Sequence, residues 1–153
     1  MKDLERAKTL LTRGGITVAV CKGEEARTDT RRGVAPLLNW LDEGVSLAGF
    51  AAADKVVGKA AAFLYLRLGV TAVYGGVMSA PAYDLLTAHG IATTYGQIVP
   101  AIINRAGDGY CPMEQVSLPH TDPVAAERAI RERLAELKNN VGENQGRHAA
   151  YGV

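Results

Sequence analysis

Ala53-Asp54-Lys55-Val56-Val57-Gly58-Lys59-Ala60-Ala61-Ala62 stands where a strand hands over to a helix, and the point of handover decides the fold. Residues 46–52 read as an apolar strand, and residues 56–68, stopped by Gly69, as an apolar helix. On that reading Asp54 is the helix N-cap, its carboxylate accepting from the first-turn N–H groups. Lys55 and Lys59, four apart, then share a helix face near the positive end of the dipole. Cations there are unfavourable by up to ~1 kcal/mol each unless an anion sits between them. The junction is therefore the first candidate ligand site, with Asp54, Lys55 and Lys59 as binding residues. Two lysines also make an ordinary solvated helix face. The flanking alanines and valines leave little room for one, and Gly58 thins the backbone where a ligand could approach. The stretch is not a Walker loop, since the leading glycine is missing and Ala60 replaces the Ser or Thr that should follow Lys59.

Upstream, residues 4–11 read as a short amphipathic helix stopped by Gly14-Gly15. Residues 16–21 form a β-branched strand, and Lys22-Gly23-Glu24-Glu25 turns into a polar strand ending near Thr30, which predicts a hairpin. Arg31-Arg32-Gly33 is a loop, followed by a helix over 36–42 with Pro36 at its start and Gly44 past its end. Downstream come a strand over 70–77, a helix over 80–88 stopped by Gly90, and a strand over 91–95. Segment 97–105 reads as either strand or short helix, because Pro100 interrupts it. Gly107-Asp108-Gly109 is a flexible loop. A final helix spans 121–138, with Thr121 or Asp122 as cap and Pro123 in its first turn. Alternating strands and helices imply parallel crossovers. With the hairpin added, the expected fold class is α/β: a three-layer α/β/α sandwich on a mixed sheet. It forms one domain over residues 1–138, and the polar residues 139–153 are expected to be a flexible tail.

Bulk composition narrows the function classes. The 153 residues are 48% hydrophobic and 22% charged, as in an ordinary globular protein. A net charge of +1 and 6% aromatic content argue against a nucleic-acid polymer or an anionic membrane as partner. Cys21 and Cys111 are too far apart in sequence for a zinc ribbon or redox pair, and two cysteines do not make a disulfide scaffold. The start has no apolar signal region, and the longest apolar stretch is broken by Lys59 and Arg67, which points to a cytoplasmic protein. His89, His120 and His148 have no ligand spacing, so neither a metal nor another cofactor is expected.

A second constellation is Cys111-Pro112-Met113-Glu114. Pro112 suits the first helical position, making Cys111 the N-cap and Glu114 the third residue. A thiol at a helix N-terminus is drawn toward the thiolate, and Glu114 could cap the turn or act as a general acid or base. The two are the candidate catalytic residues; the plain alternative is a small buried thiol beside a capping acid. Ser79, capping the next helix at the end of a neighbouring parallel strand, is a further candidate ligand residue, because α/β ligands bind at the carboxyl ends of strands.

The element order resembles the cytidine-deaminase-like fold. AADKVVGKAAA at 52–62, SAPAYDLL at 79–86 and CPME at 111–114 together resemble a small deaminase-fold family of unknown function, over about residues 4–138. That resemblance implies the fold but brings no activity with it. A zinc deaminase needs H-x-E or C-x-E opening one core helix and P-C-x-x-C opening the next. Here the first place reads Asp54-Lys55-Val56-Val57 and the second Pro81-Ala82-Tyr83-Asp84-Leu85, so the thiolate ligands are missing. Hydrolytic deamination through zinc-bound water is therefore not expected.

Three readings follow. One is a metal-independent enzyme acting on a small anionic or nucleotide-like molecule held by Lys55 and Lys59, with Cys111 as nucleophile or proton donor and Glu114 or Asp54 as base. The second is a non-catalytic binding or regulatory module in the same pocket. The third is a scaffold that self-associates, giving a homo-oligomer.

Overall fold

The computed structural model describes residues 2–143. Helix α1 (Lys2–Leu11) leads into the hairpin β1 (Val18–Lys22) and β2 (Glu25–Asp29), then α2 (Ala35–Asp42). There follow β3 (Ala51–Val57), α3 (Lys59–Leu68), β4 (Ala72–Ser79), α4 (Ala80–Ala88) and β5 (Ala92–Val99), and finally α5 (Pro112–Ser117) and α6 (Pro123–Glu143). The five strands form one mixed sheet in the order β2-β1-β3-β4-β5. β1 runs antiparallel to both β2 and β3, and the β3–β4 and β4–β5 pairs are parallel.

Strand alternation distributes the core. Ala19, Cys21 and Ala53 point to one face, where Ala7 and Leu11 of α1 cover them. Val18, Val20, Ala52 and Val73 point to the other, into a larger core built on Phe63, Leu64 and Tyr65 of α3, with α2, α4, α5 and α6 around it. Helices therefore cover both faces of the sheet. Arg131 of α6 bridges Glu127 and Asp42, and Arg67 of α3 reaches the same Glu127, tying α6 to α2 and α3. Among the described residues, no helix is long and apolar enough to cross a membrane.

Several boundaries differ from the sequence reading. The strand expected at 46–52 lies at Ala51–Val57, so the helix expected from 56 begins only at Lys59, with Gly58 as its N-cap. Residues 46–50 instead form a turn around Gly49 (φ 82°), with the Phe50 amide bonded to the Leu47 carbonyl. The alanines of 51–53 favour helix locally, but β1 and β4 flank them on both sides and small side chains let helices approach both faces. β4 is likewise shifted two residues onward, and β5 takes in Gln97–Val99 of the ambiguous segment before Pro100 ends it. Helix α6 continues through Glu143 rather than ending at 138. The expected tail thus begins no earlier than 144, and residues 144–153 lie outside the described residues.

Candidate functional site

Moving the handover to Gly58 separates the residues that the sequence had grouped. Asp54 and Lys55 are consecutive strand residues and face opposite sides of the sheet. Asp54 is therefore not a helix cap, and Lys55 shares no helix face with Lys59. Lys55 is exposed on the α1 side, in an open groove with Glu5, Lys8 and Tyr74. The Lys59 ammonium donates to the Leu118 carbonyl (2.7 Å) at the end of α5 and lies 5.6 Å from the Phe63 ring centre. Among the described residues, neither pocket lined by Lys55 includes Lys59.

The N-terminus of α3 does hold an anion, and it is the protein's own. Glu114, 1% exposed, accepts from the Lys59 amide through Oε1 (2.6 Å) and from the Ile102 amide through Oε2 (2.7 Å). A carboxylate there satisfies orphan amide donors and complements the helix dipole. Gly58 makes the approach possible, since a Cβ on it would lie 3.1 Å from both Glu114 Oε1 and Ile102 Cγ1. Both carboxylate oxygens are thereby spent on backbone.

Cys111 is the N-cap residue of α5, as its spacing from Pro112 implies, but its thiol makes no cap hydrogen bond. It is 2% exposed, and burial pushes its pKa above the usual thiol value, outweighing the nearby amides of Met113 and Glu114. The expected drift toward thiolate is reversed, because the helix terminus is sealed inside apolar packing. The void beside Cys111 and Gly58 measures about 20 Å³, room for about one water. Ser79 is fully buried and caps α4, its Oγ accepting from the Ala82 amide (3.3 Å). Asp54 pairs with Gly75 across the sheet, which leaves Ser79 four residues further along β4, about 13 Å away.

Of the six residues singled out by sequence, Asp54 and Lys55 line one ligand-sized pocket, and Asp54 is the buried one of the two. Its carboxylate, 8% exposed, accepts from the Tyr65 hydroxyl through Oδ2 (2.6 Å) and from the Val56 amide through Oδ1 (3.3 Å). Burial raises its pKa to about 7, against the opposing pull of those hydrogen bonds; burial and the adjacent Asp54 push the Tyr65 hydroxyl well above the usual phenol value. The pocket, about 300 Å³, has Val18, Pro36, Leu37 and Val56 as apolar walls and Arg31 and Arg32 at its side.

The loop carrying those arginines is pinned. Arg31 makes a two-pronged pair with Asp29 (3.0 and 2.7 Å), which holds the Asp29 carboxyl below the usual carboxylate range. The Thr17 hydroxyl donates to the Arg31 carbonyl (2.6 Å). Arg32 is exposed and, among the described residues, forms no ion pair. One free and one paired guanidinium beside an apolar pocket can receive a carboxylate or phosphate bidentately.

The profile of the TM1506 family, described as a domain of unknown function (DUF1893), matches residues 6–134. The chain belongs to the DUF1893 family. It is similar in fold to the crystal structure of a DUF1893 family protein, TM1506, from Thermotoga maritima. The two are 24% identical with a TM-score of 0.79, and the similarity covers 86% of this chain and 90% of that one. No curated protein matches.

The span matched to DUF1893 contains the Asp54 pocket in full; sequence reasoning missed Arg31 and Arg32 on its wall and Tyr65, the buried partner of Asp54. Tyr65 carried a usable signal, as the sole hydroxyl in an apolar helix needs a partner once buried, and Asp54 is the acid of the preceding strand. The Arg31-Arg32-Gly33 loop carried a weaker one, two cations just before a proline-started helix.

Proposed function

We propose that this DUF1893 domain binds a small anionic or nucleotide-like molecule in the pocket between β1, β3 and α2. The ligand's anionic group meets Arg32 and Arg31, and its body meets Asp54 and the apolar walls. The observation that carries this reading is a buried carboxylate, Asp54, with a pKa of about 7 on the wall of a pocket flanked by two arginines. Perturbed titratable groups in pockets mark functional sites more often than chance. Any proton transfer in the site belongs to Asp54 rather than to Cys111 and Glu114, whose thiol and carboxylate are engaged in the interior.

The finer fold assignment supports the same region. We read the arrangement as cytidine-deaminase-like, a reading supported by the initial helix, the hairpin and the strand order β2-β1-β3-β4-β5, with α3 and α4 following β3 and β4. The zinc ion of that fold does not fit this chain. The helix openings that would supply ligands read Gly58-Lys59-Ala60 and Ser79-Ala80-Pro81-Ala82, and among the described residues no three His, Cys, Asp or Glu side chains converge. The proposed binding role therefore makes no use of that zinc site.

The test is a thermal-shift and calorimetric screen with inorganic phosphate, nucleoside monophosphates and small dicarboxylates. A ligand that stabilises the wild type should bind Arg32→Ala about tenfold more weakly, the worth of one charge-assisted contact. A panel with no binder, or a binder indifferent to Arg32→Ala, removes the assignment.

A further inference from the structure

The two edges of the sheet are built to opposite rules. β2 carries Glu25, Arg27 and Asp29 within five residues, and the Arg6 guanidinium covers its start by donating to the Gly23 and Glu25 carbonyls. Paired full-length with its own copy about a two-fold at Arg27, β2 would set Arg27 against Arg27 and Glu25 against Asp29. Like charges placed opposite one another are how natural edges refuse a second copy.

β5 has none of these defences. Its eight residues, Ala92-Thr93-Thr94-Tyr95-Gly96-Gln97-Ile98-Val99, carry no charge and no proline. Among the described residues, positions 93–99 make no backbone hydrogen bond beyond those to β4, so the outer N–H and C=O groups are unpartnered. Tyr95 stacks edge-on against Tyr83 of α4, which turns Thr94, Gly96 and Ile98 to the other face of the sheet. Tyr95 and Ile98 remain 42% and 40% exposed.

We propose that β5 pairs antiparallel with β5 of a second copy of this chain, joining two five-stranded sheets into one. In a two-fold pair, residues directly opposite share a sheet face. An axis through Gly96 therefore sets Thr94 opposite Ile98, Tyr95 opposite Gln97 and Thr93 opposite Val99, with no like charge anywhere. The edge that would repel itself is charged, and the edge that would accept itself is not. A second copy fits better than the chain's own ten final residues. Lys138 of α6 lies beside Arg31 and Asn39 near α2, and α6 packs against α3 and α5.

Sedimentation velocity on the full chain over a dilution series tests this. The wild type should show a concentration-dependent dimer. Thr94→Lys/Ile98→Lys, which sets like charges opposite each other at exposed positions, should weaken dimerisation about tenfold. Thr94→Lys/Ile98→Glu, which sets opposite charges there, should keep the dimer, and deleting residues 144–153 should leave it intact. A wild type monomeric at every concentration, a dimer indifferent to both double variants, or a dimer lost with residues 144–153 overturns the proposal. Far-ultraviolet circular dichroism confirms that each variant is folded.

Discussion

At the scale of the residue, Asp54 sets how stability responds to pH. Its carboxyl titrates at about 7 in the folded chain and, once unfolded, in the usual range near about 4. Between those values the folded state holds the extra proton, so stability falls as pH rises from about 4 to about 7 and levels off above. The span corresponds to a loss on the order of 4 kcal/mol. Asp29 and Glu127, both held below the usual carboxylate range, act with the opposite sign: their contribution is lost on acidification, in a window below that of Asp54. Denaturant titrations at a series of pH values should show the decline, and Asp54→Asn, which cannot ionise, should abolish it. A slope that persists in Asp54→Asn would assign it to another group. Sequence alone singled out Asp54 for a different reason, as a helix cap. Its acid type and position were legible, but its partner Tyr65 and its burial depend on α3 crossing the strand, a contact that no local pattern records.

At the scale of the element, the contact between α3 and α5 is a two-point latch. Glu114 accepts from the first amide of α3, and the Lys59 side chain returns a donor to the Leu118 carbonyl. Glu114→Ala would strand two buried amides, those of Lys59 and Ile102, costing about 2–4 kcal/mol. Equilibrium urea unfolding measures it; a loss within about 0.5 kcal/mol, the level of an ordinary surface substitution, would show that water replaces the carboxylate without penalty. The latch also explains which elements the sequence could disclose. α2 and α4 announce themselves through Pro36 with Gly44 and through Ser79 with Gly90, local signals that tertiary packing leaves in place. The start of α3 is set by β1 and β4 pairing with an alanine run and by a carboxylate 55 residues further along, so its boundary could not be read locally. The sequence reading placed a ligand anion between Lys55 and Lys59, whereas the helix start meets Glu114 through the Lys59 amide, a contact that no charge pattern discloses.

At the scale of the whole molecule, the sheet divides two unequal cores, and the two cysteines report on one each. Cys111 lies with the large cluster that includes Phe63, Leu64 and Tyr65. Cys21 lies beneath α1 with Ala7, Leu11, Ala19 and Ala53, mostly small side chains that bury little apolar surface. Both thiols are buried and pushed above the ordinary thiol pKa, so neither reacts with an alkylating reagent until its layer opens. Regions with few buried apolar contacts open with the lowest free energy. Helix α1 is held to the hairpin by Asp3 and Arg6 at Gly23 and Glu25, so it can detach without dismantling the α3 side. Under native conditions Cys21 should therefore be alkylated faster than Cys111, whose rate should follow global unfolding across a denaturant series. Equal rates at both thiols would show that the α1 layer and the α3 core open as one cooperative unit, making β1 and β3 a rigid coupling between faces rather than a partition.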